Sequence, residues 1–271
     1  MVRLRPLLQG YRDLAKLARK SAVYSTTASW VFRAGPAAGM AVSILGLAIL
    51  PWCAGRSLVS FDGDFLVFAG LFGLGRFLTV AAAMDTGSAF EGMGASREVW
   101  FAALAEPAFL LAVAGLARAT GSLSLSGITA AANAAGGPGP ILAAAALFAV
   151  FLAENARIPV DDPNTHLELT MIHEAMVLDH GGPDFGMIQY GSALKLWAYG
   201  GLLSAVLAPH TGVLAADVAM AAGGMILVAV ATGIVESIMA RLRLLRVPQL
   251  LTAAAAAAAL SLILAIARGA P

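Results

Sequence analysis

The sequence predicts an all-α fold: a polytopic transmembrane helical bundle of about seven spans. Three observations carry that prediction. Of 271 residues, 59% are hydrophobic and only 12% charged, with a mean hydropathy of +0.82. A soluble domain is about 25% charged, so too few charges remain here to cover a water-facing surface. Apolar stretches close to the roughly 20 residues needed to span a bilayer recur along the whole chain. The charged residues gather mostly between those stretches. The formal net charge of +1 gives no pointer to nucleic acid. The single cysteine, Cys53, excludes an intrachain disulfide. It also excludes a cysteine-ligated zinc or iron–sulfur centre, each of which needs several thiolates.

The start, Met1–Lys20, is basic and lacks the apolar core of a signal peptide. Within it, Tyr11, Leu14, Leu17 and Ala18 fall on one helical face, ringed by Arg12, Lys16, Arg19 and Lys20. That pattern predicts an amphipathic helix lying at the membrane surface, within an N-terminal segment 1–33. Spans one to four occupy 34–153, at about Ala34–Ala54, Asp64–Asp85, Val99–Ala117 and the short Gly139–Ala153. Gly136-Gly137-Pro138-Gly139 reads as a turn before the fourth span and not as a phosphate loop. An acidic loop, 154–185, follows. Spans five to seven fill 186–271, at about Gly186–Ala208, Leu214–Met239 and Gln249–Ala267. The poly-alanine run Ala253–Ala259 is a strong helix former. No internal repeat is evident.

Orientation follows from Lys and Arg in the loops. One side collects the seven in the N-terminal segment through Arg33, then Arg97, Arg157, Arg241, Arg243 and Arg246. The other side has Arg56, Arg118 and Arg268, while Arg76 and Lys195 lie inside spans. The N-terminus and the acidic loop are therefore expected in the cytoplasm, and the C-terminus outside.

Ionisable groups in a hydrocarbon core are costly and mark paired sites or pathways. Arg76, Glu106, Lys195 and Glu236 sit inside predicted spans; Asp85 closes the second and Glu154 the fourth. Glu106 precedes Pro107, which removes a helix hydrogen bond. Two readings stay open: buried ion pairs that only fix helix packing, or a chain of carboxylates and cations that carries protons.

The loop concentrates seven of the 16 acidic residues: Glu154, Asp161, Asp162, Glu168, Glu174, Asp179 and Asp184. Asp162-Pro163 reads as an N-cap with proline at the first helical position. A helix is expected from about Pro163 to Leu178, with Leu167, Met171, Ala175 and Leu178 on one face and Gly181-Gly182-Pro183 ending it. His166, His173 and His180 are spaced by seven. His173-Glu174 begins like a zincin motif, but the second histidine would fall at Val177, so that reading fails. No nucleophile-elbow pattern occurs.

The run AENARIPVDDPNTHLELTMIHEAMVLDHGGPD, from Ala153, closely resembles the signature of the membrane subunit of formate hydrogenlyase and hydrogenase-4 complexes, group 4 [NiFe]-hydrogenases. That subunit belongs to the superfamily of NADH dehydrogenase subunit 1, a membrane subunit of complex I. The resemblance extends to QGYRDLAKL at Gln9–Leu17, to RFLTVAAAMDTGSAFEGMGASRE at Arg76–Glu98 and to YGSALKLW at Tyr190–Trp197. Complex I relatives have a loop of the type E-x-N-R-x-P-F-D-x-x-E. Glu154, Arg157, Pro159 and Asp161 match it, while Asn155 sits one place early, Ala156 takes the asparagine position and Val160 replaces the phenylalanine. The continuation of the run leans toward the hydrogenase branch.

The resemblance implies a multi-pass subunit of the cell inner membrane that anchors a hydrophilic redox arm and has no cofactor of its own. The NiFe centre and iron–sulfur clusters would sit in partner hydrogenase large and small subunits, with antiporter-like subunits alongside in the bilayer; a quinone is compatible with the family. It implies a proton pathway through Glu154, Glu106, Asp85, Glu91 and Glu98, to which the ionisable residues inside spans add Arg76, Lys195 and Glu236. It implies an arm-docking face at Arg157, Asp161, Asp162, His166, Glu168, His173, Glu174 and Asp179. The family has eight spans, and its first precedes the basic N-terminal segment. This sequence begins at that segment, and Arg3-Leu4-Arg5-Pro6 stands where R-G-P is usual. The alternatives are the corresponding membrane subunit of a quinone-reducing NADH dehydrogenase-type complex, or a stand-alone ion-coupled transporter.

Overall fold

A computed structural model describes residues 8–52, 57–132, 136–161, 171–209 and 211–269. Among these are nine α-helices. Helix α1, Gln9–Ala18, buries no residue completely and rests on α7, Leu17 lying over Gly186. A helix here is what the apolar face of the N-terminal segment predicts.

Helix α2 spans Trp30–Ile49 and α3 spans Asp64–Asp85. They pack closely because glycines open the seam. A Cβ added at Gly35 would stand 2.9 Å from that of Ala82, and one at Gly46 would stand 2.8 Å from the Phe72 ring. The start of α2 is capped twice. The Ser29 Oγ accepts from the Val31 N–H at 3.2 Å, and the Asp85 carboxylate accepts from the Ser29 and Phe32 N–H groups at 2.6 and 3.3 Å.

Helix α4, Ala89–Thr120, has 32 residues and contains Pro107. At 1.5 Å per residue it is about 48 Å long, well beyond the ~30 Å hydrocarbon core. It ends on Gly121, whose φ of +70° is the left-handed conformation glycine adopts freely. The short α5, Leu125–Ala132, follows, and α6, Pro138–Glu154, begins with proline in its first turn. The remaining helices are α7, Gly182–Leu207, α8, Leu214–Ile238, and α9, Val247–Ala267. Helices α4, α6 and α9 pack on one another to make the centre, α2 and α3 flank it with α7, and α8 leans on α7. A ring cluster of Phe68, Phe72, Phe109 and Tyr199 fills the middle of the bundle.

Among the described residues, five helices are long and apolar enough to cross a membrane: α2, α3, α4, α8 and α9, the last extended back to Leu244. The fourth predicted span is the shorter apolar helix α6. The fifth is α7, which has the length but carries Asp184, Gln189 and Lys195. The chain is thus an all-α, multi-pass membrane protein.

The loop departs from its expected form. Residues 162–170 lie outside the described residues, and with them Asp162, His166, Glu168 and the first half of the predicted helix. The second half is no α-helix: Met171–His180 holds one 3-10 turn, Glu174–Val177, between bends. Met171, Ile172, Ala175 and Met176 are buried because the segment packs against α4. An added Cβ at Gly94 would come within 2.9 Å of both the Ala175 Cβ and the Ile172 carbonyl. Tertiary burial, not a helical face, spaces those apolar residues. Gly182 and Pro183 begin α7 instead of ending a helix before it.

Candidate functional site

Where α2, α3 and α7 meet the Met171–His180 segment, the chain forms a half-open cavity of about 540 Å³. Gly35, Pro36, Gly39 and Met40 of α2 give it a smooth, apolar wall. Its floor is charged, built from Arg76, Glu98, Glu154, Lys195 and His173.

Arg76 is the hub of that floor. It lies nine residues before the end of α3, roughly 13 Å along the helix axis. Its Nε donates to Glu98 Oε1 at 3.2 Å, its Nη1 pairs with Glu106 and its Nη2 with Glu154. Lys195 Nζ reaches the other Glu154 oxygen at 2.8 Å. Each partner comes from a different place: Glu98 and Glu106 from α4, Glu154 from the end of α6, Lys195 from α7. Arg76, Glu98 and Glu154 are buried, whereas the Glu106 side chain, 47% exposed, reaches the outside of the bundle. Tyr199 lies beneath, with Lys195 Nζ 5.9 Å from its ring centre. A buried charge is tolerated only when paired, and here three carboxylates share two cations.

The network extends toward the loop. His173 Nε2 lies 3.3 Å from Glu98 Oε2, and its Nδ1 lies 3.7 Å from Asp161 Oδ2. Arg241, just beyond α8, donates to Asp161 Oδ1 at 2.8 Å. Arg97 holds the segment to α4 by donating to the Met171 carbonyl at 2.9 Å. Burial alone would lower the His173 pKa, but the neighbouring carboxylates of Glu98 and Asp161 outweigh it and hold the imidazole above its ordinary value. His180 behaves in the opposite way. It stacks flat on Phe32 with ring centres 3.9 Å apart, and burial pushes its pKa down against the pull of Asp184 and Asp179.

The family profile described as NADH dehydrogenase matches residues 1–267, nearly the whole chain. The chain belongs to the NADH dehydrogenase subunit 1 family. Among curated members, formate hydrogenlyase subunit 4 of Escherichia coli (strain K12) is 32% identical over 193 residues, 70% of this chain and 62% of the relative. Hydrogenase-4 component C of the same organism is 30% identical over 205 residues, 74% of this chain and 64% of the relative. The chain therefore spans under two thirds of the length of these two relatives. In fold it matches a chain in the structure of the membrane-bound sulfane sulfur reductase, an archaeal respiratory membrane complex. The TM-score is 0.81 at 23% identity, covering 96% of this chain and 87% of that one.

Against the residues that the sequence nominates, the geometry is selective. Arg76, Glu98, Glu106, Glu154 and Lys195 come together in one network. Glu236 does not join them and does not lie deep in its span. It sits two residues from the end of α8, where Arg157 Nη1 approaches its Oε1 at 3.6 Å. Asp85 caps α2. Glu91 is buried and accepts from the Asp179 N–H at 3.1 Å, tying the loop to α4. Of the nominated docking residues, Asp161 and His173 turn inward to the network, Arg157 meets α8, and Glu174 lines the cavity. Arg241 stands in the sequence only as a loop charge. It pairs with a residue 80 positions away, and nothing local in the sequence marks that pairing. Among the described residues, no group of three His, Cys, Asp or Glu side chains is placed to hold a metal.

Proposed function

We propose that this chain is the membrane-anchor subunit of an energy-converting [NiFe]-hydrogenase complex of the formate hydrogenlyase type. In this reading the chain itself is non-catalytic. It docks a hydrophilic arm that carries the NiFe centre and iron–sulfur clusters, and it couples electron transfer there to translocation of protons or sodium ions. One observation carries this reading: a connected set of titratable and cationic side chains runs from Asp161 and His173 in the loop to Glu106 inside a span. The names of the two bacterial relatives support the type of complex. The loop and N-terminus face the cytoplasm in this reading, and the arm docks there through Arg157, Asp161, Asp162, His166, Glu168, His173, Glu174 and Asp179. A change of charge in the arm alters the field at the loop. The protonation of Glu98, Glu154 and Glu106 then shifts in turn.

Mild-detergent purification of the tagged chain tests this directly. Recovery of a [NiFe]-hydrogenase large subunit and a small iron–sulfur subunit, with hydrogen formed from a reduced donor, is expected. Recovery of the chain alone, from membranes in which it is stable, contradicts it and brings forward a stand-alone transporter.

The cavity favours a second reading, the corresponding membrane subunit of a quinone-reducing NADH dehydrogenase-type complex. A smooth apolar wall of Gly35, Pro36 and Gly39 over a charged floor fits a flat ring with polar edges. Donor-dependent reduction of a short-chain quinone by the purified complex, lost on substituting Gly39 with Leu, would favour this reading. A complex that forms hydrogen and leaves quinone unreduced excludes it.

A further inference from the structure

The histidine at the mouth of the network has an unusual set of neighbours. Its two ring nitrogens point at two different carboxylates, Glu98 at 3.3 Å and Asp161 at 3.7 Å. Both nitrogens are shielded from solvent and make no hydrogen bond of normal geometry. Lys195 of α7 also acts on the ring, lowering its proton affinity. Glu98 divides its oxygens: Oε2 faces His173 and Oε1 accepts from Arg76 Nε. The His173 backbone N–H donates to Asp161 Oδ2 at 3.5 Å, so the same carboxylate also ties down the backbone beneath the ring.

We propose that His173 is a proton relay between the loop and the transmembrane ion network, a role that rests on the coupling function proposed above. The charges of the network point the same way. With Glu98, Glu106 and Glu154 ionised, three carboxylates face Arg76 and Lys195. One negative charge is left over in a region where an unbalanced charge is costly. A proton on His173 removes the imbalance. In the relay, Nδ1 takes a proton from the Asp161 side to form the imidazolium, which balances the network, and Nε2 then gives one to Glu98 Oε2, so the ring is cationic only in between and returns neutral as the other tautomer. Protonated Glu98 loosens its hold on Arg76, whose charge is then shared by Glu106 and Glu154. A charge change in the loop thereby repartitions the ion pairs deep in the span. The 3.7 Å gap to Asp161 exceeds hydrogen-bond reach, so entry at Nδ1 passes through a water of the adjoining cavity or a small approach of the Met171–His180 segment.

The test uses the whole complex in liposomes, with electron transfer and ion translocation read together across a pH series for wild type, His173→Gln and Glu154→Gln. His173→Gln should retain electron transfer and lose translocation per electron, together with the alkaline limb of the wild-type coupling profile. If His173→Gln translocates as wild type with the same pH profile while Glu154→Gln is uncoupled, the relay is wrong and the coupling function stands. If neither variant loses translocation, both fall. Should His173→Gln not assemble, Asp161→Asn decides: the alkaline limb moves to lower pH if His173 relays, and an unmoved limb refutes it.

Discussion

Asp64 and Glu154 are both buried carboxylates at helix ends, and they are satisfied by different kinds of partner. Asp64, the first residue of α3, accepts from the Leu125 N–H at 2.6 Å and so ties the start of α5 to its own helix. Glu154, the last residue of α6, holds Arg76 and Lys195. The pattern repeats within each end of the bundle. In the first turn of α8, the Asp217 carboxylate accepts from the Thr211 N–H and hydroxyl, both at 2.8 Å. At the loop end, Glu98 and Asp161 meet Arg76, Arg241 and His173. A backbone N–H cannot change charge, so a carboxylate bound to one serves as a cap. A carboxylate bound to cations and a histidine sits in a set whose charges are redistributed when any member gains a proton. Sequence position does not separate the two kinds, since Asp85 and Glu91 lie at the loop end and bind backbone as Asp64 does.

Substitutions at the two ends should therefore differ in size and in kind. Glu154→Ala takes a shared partner from the buried Arg76 and the half-buried Lys195. Breaking a buried pair this way costs about 3–5 kcal/mol, and loss of assembled complex is expected on native gels, with a large drop in unfolding midpoint in detergent. Asp64→Ala removes a cap, at about 0.5–2 kcal/mol. It should lower the midpoint modestly and leave translocation per electron untouched. A changed ion-to-electron ratio in that variant would break the comparison.

The two described loop histidines sharpen it through pH. The His173 pKa is raised in the folded chain, so its stabilisation is complete below its unfolded value of about 6.5 and fades as pH rises through the raised value. The His180 pKa is lowered, so its contribution is present above about 6.5 and fades as pH falls through the lowered value. Unfolding midpoints across pH should accordingly lose their alkaline decline in His173→Gln and their acidic decline in His180→Gln. The smallest effect is expected at Ala156, whose φ of +49° is left-handed. Ala156→Gly should stabilise by about 1 kcal/mol, because an L side chain is disfavoured there.

The helices were legible because an apolar run long enough to span a bilayer has few other uses, and each predicted span has a helix in place. Arg76, Glu106, Lys195 and Glu154 were legible as residues out of place in apolar surroundings. Their pairing was not: Arg76 meets Glu98 across 22 positions and Glu154 across 78, and no local pattern encodes such distances. The helix expected over Pro163–Leu178 shows the opposite error. Met171 and Ala175 have helical spacing, yet burial against α4 selects apolar residues in an irregular segment just as well. Gly182-Pro183 reads as a stop, although proline is equally at home in the first turn of a helix.

The measurement that reaches the central claim most directly is simultaneous recording of electron transfer and ion translocation by the reconstituted complex carrying Glu154→Gln, a change that keeps the shape of the side chain and removes its charge. Loss of translocation is predicted, whether or not electron transfer survives. Electron transfer and translocation both at wild-type levels would contradict the assignment of the Arg76–Glu154–Lys195 network as the coupling element.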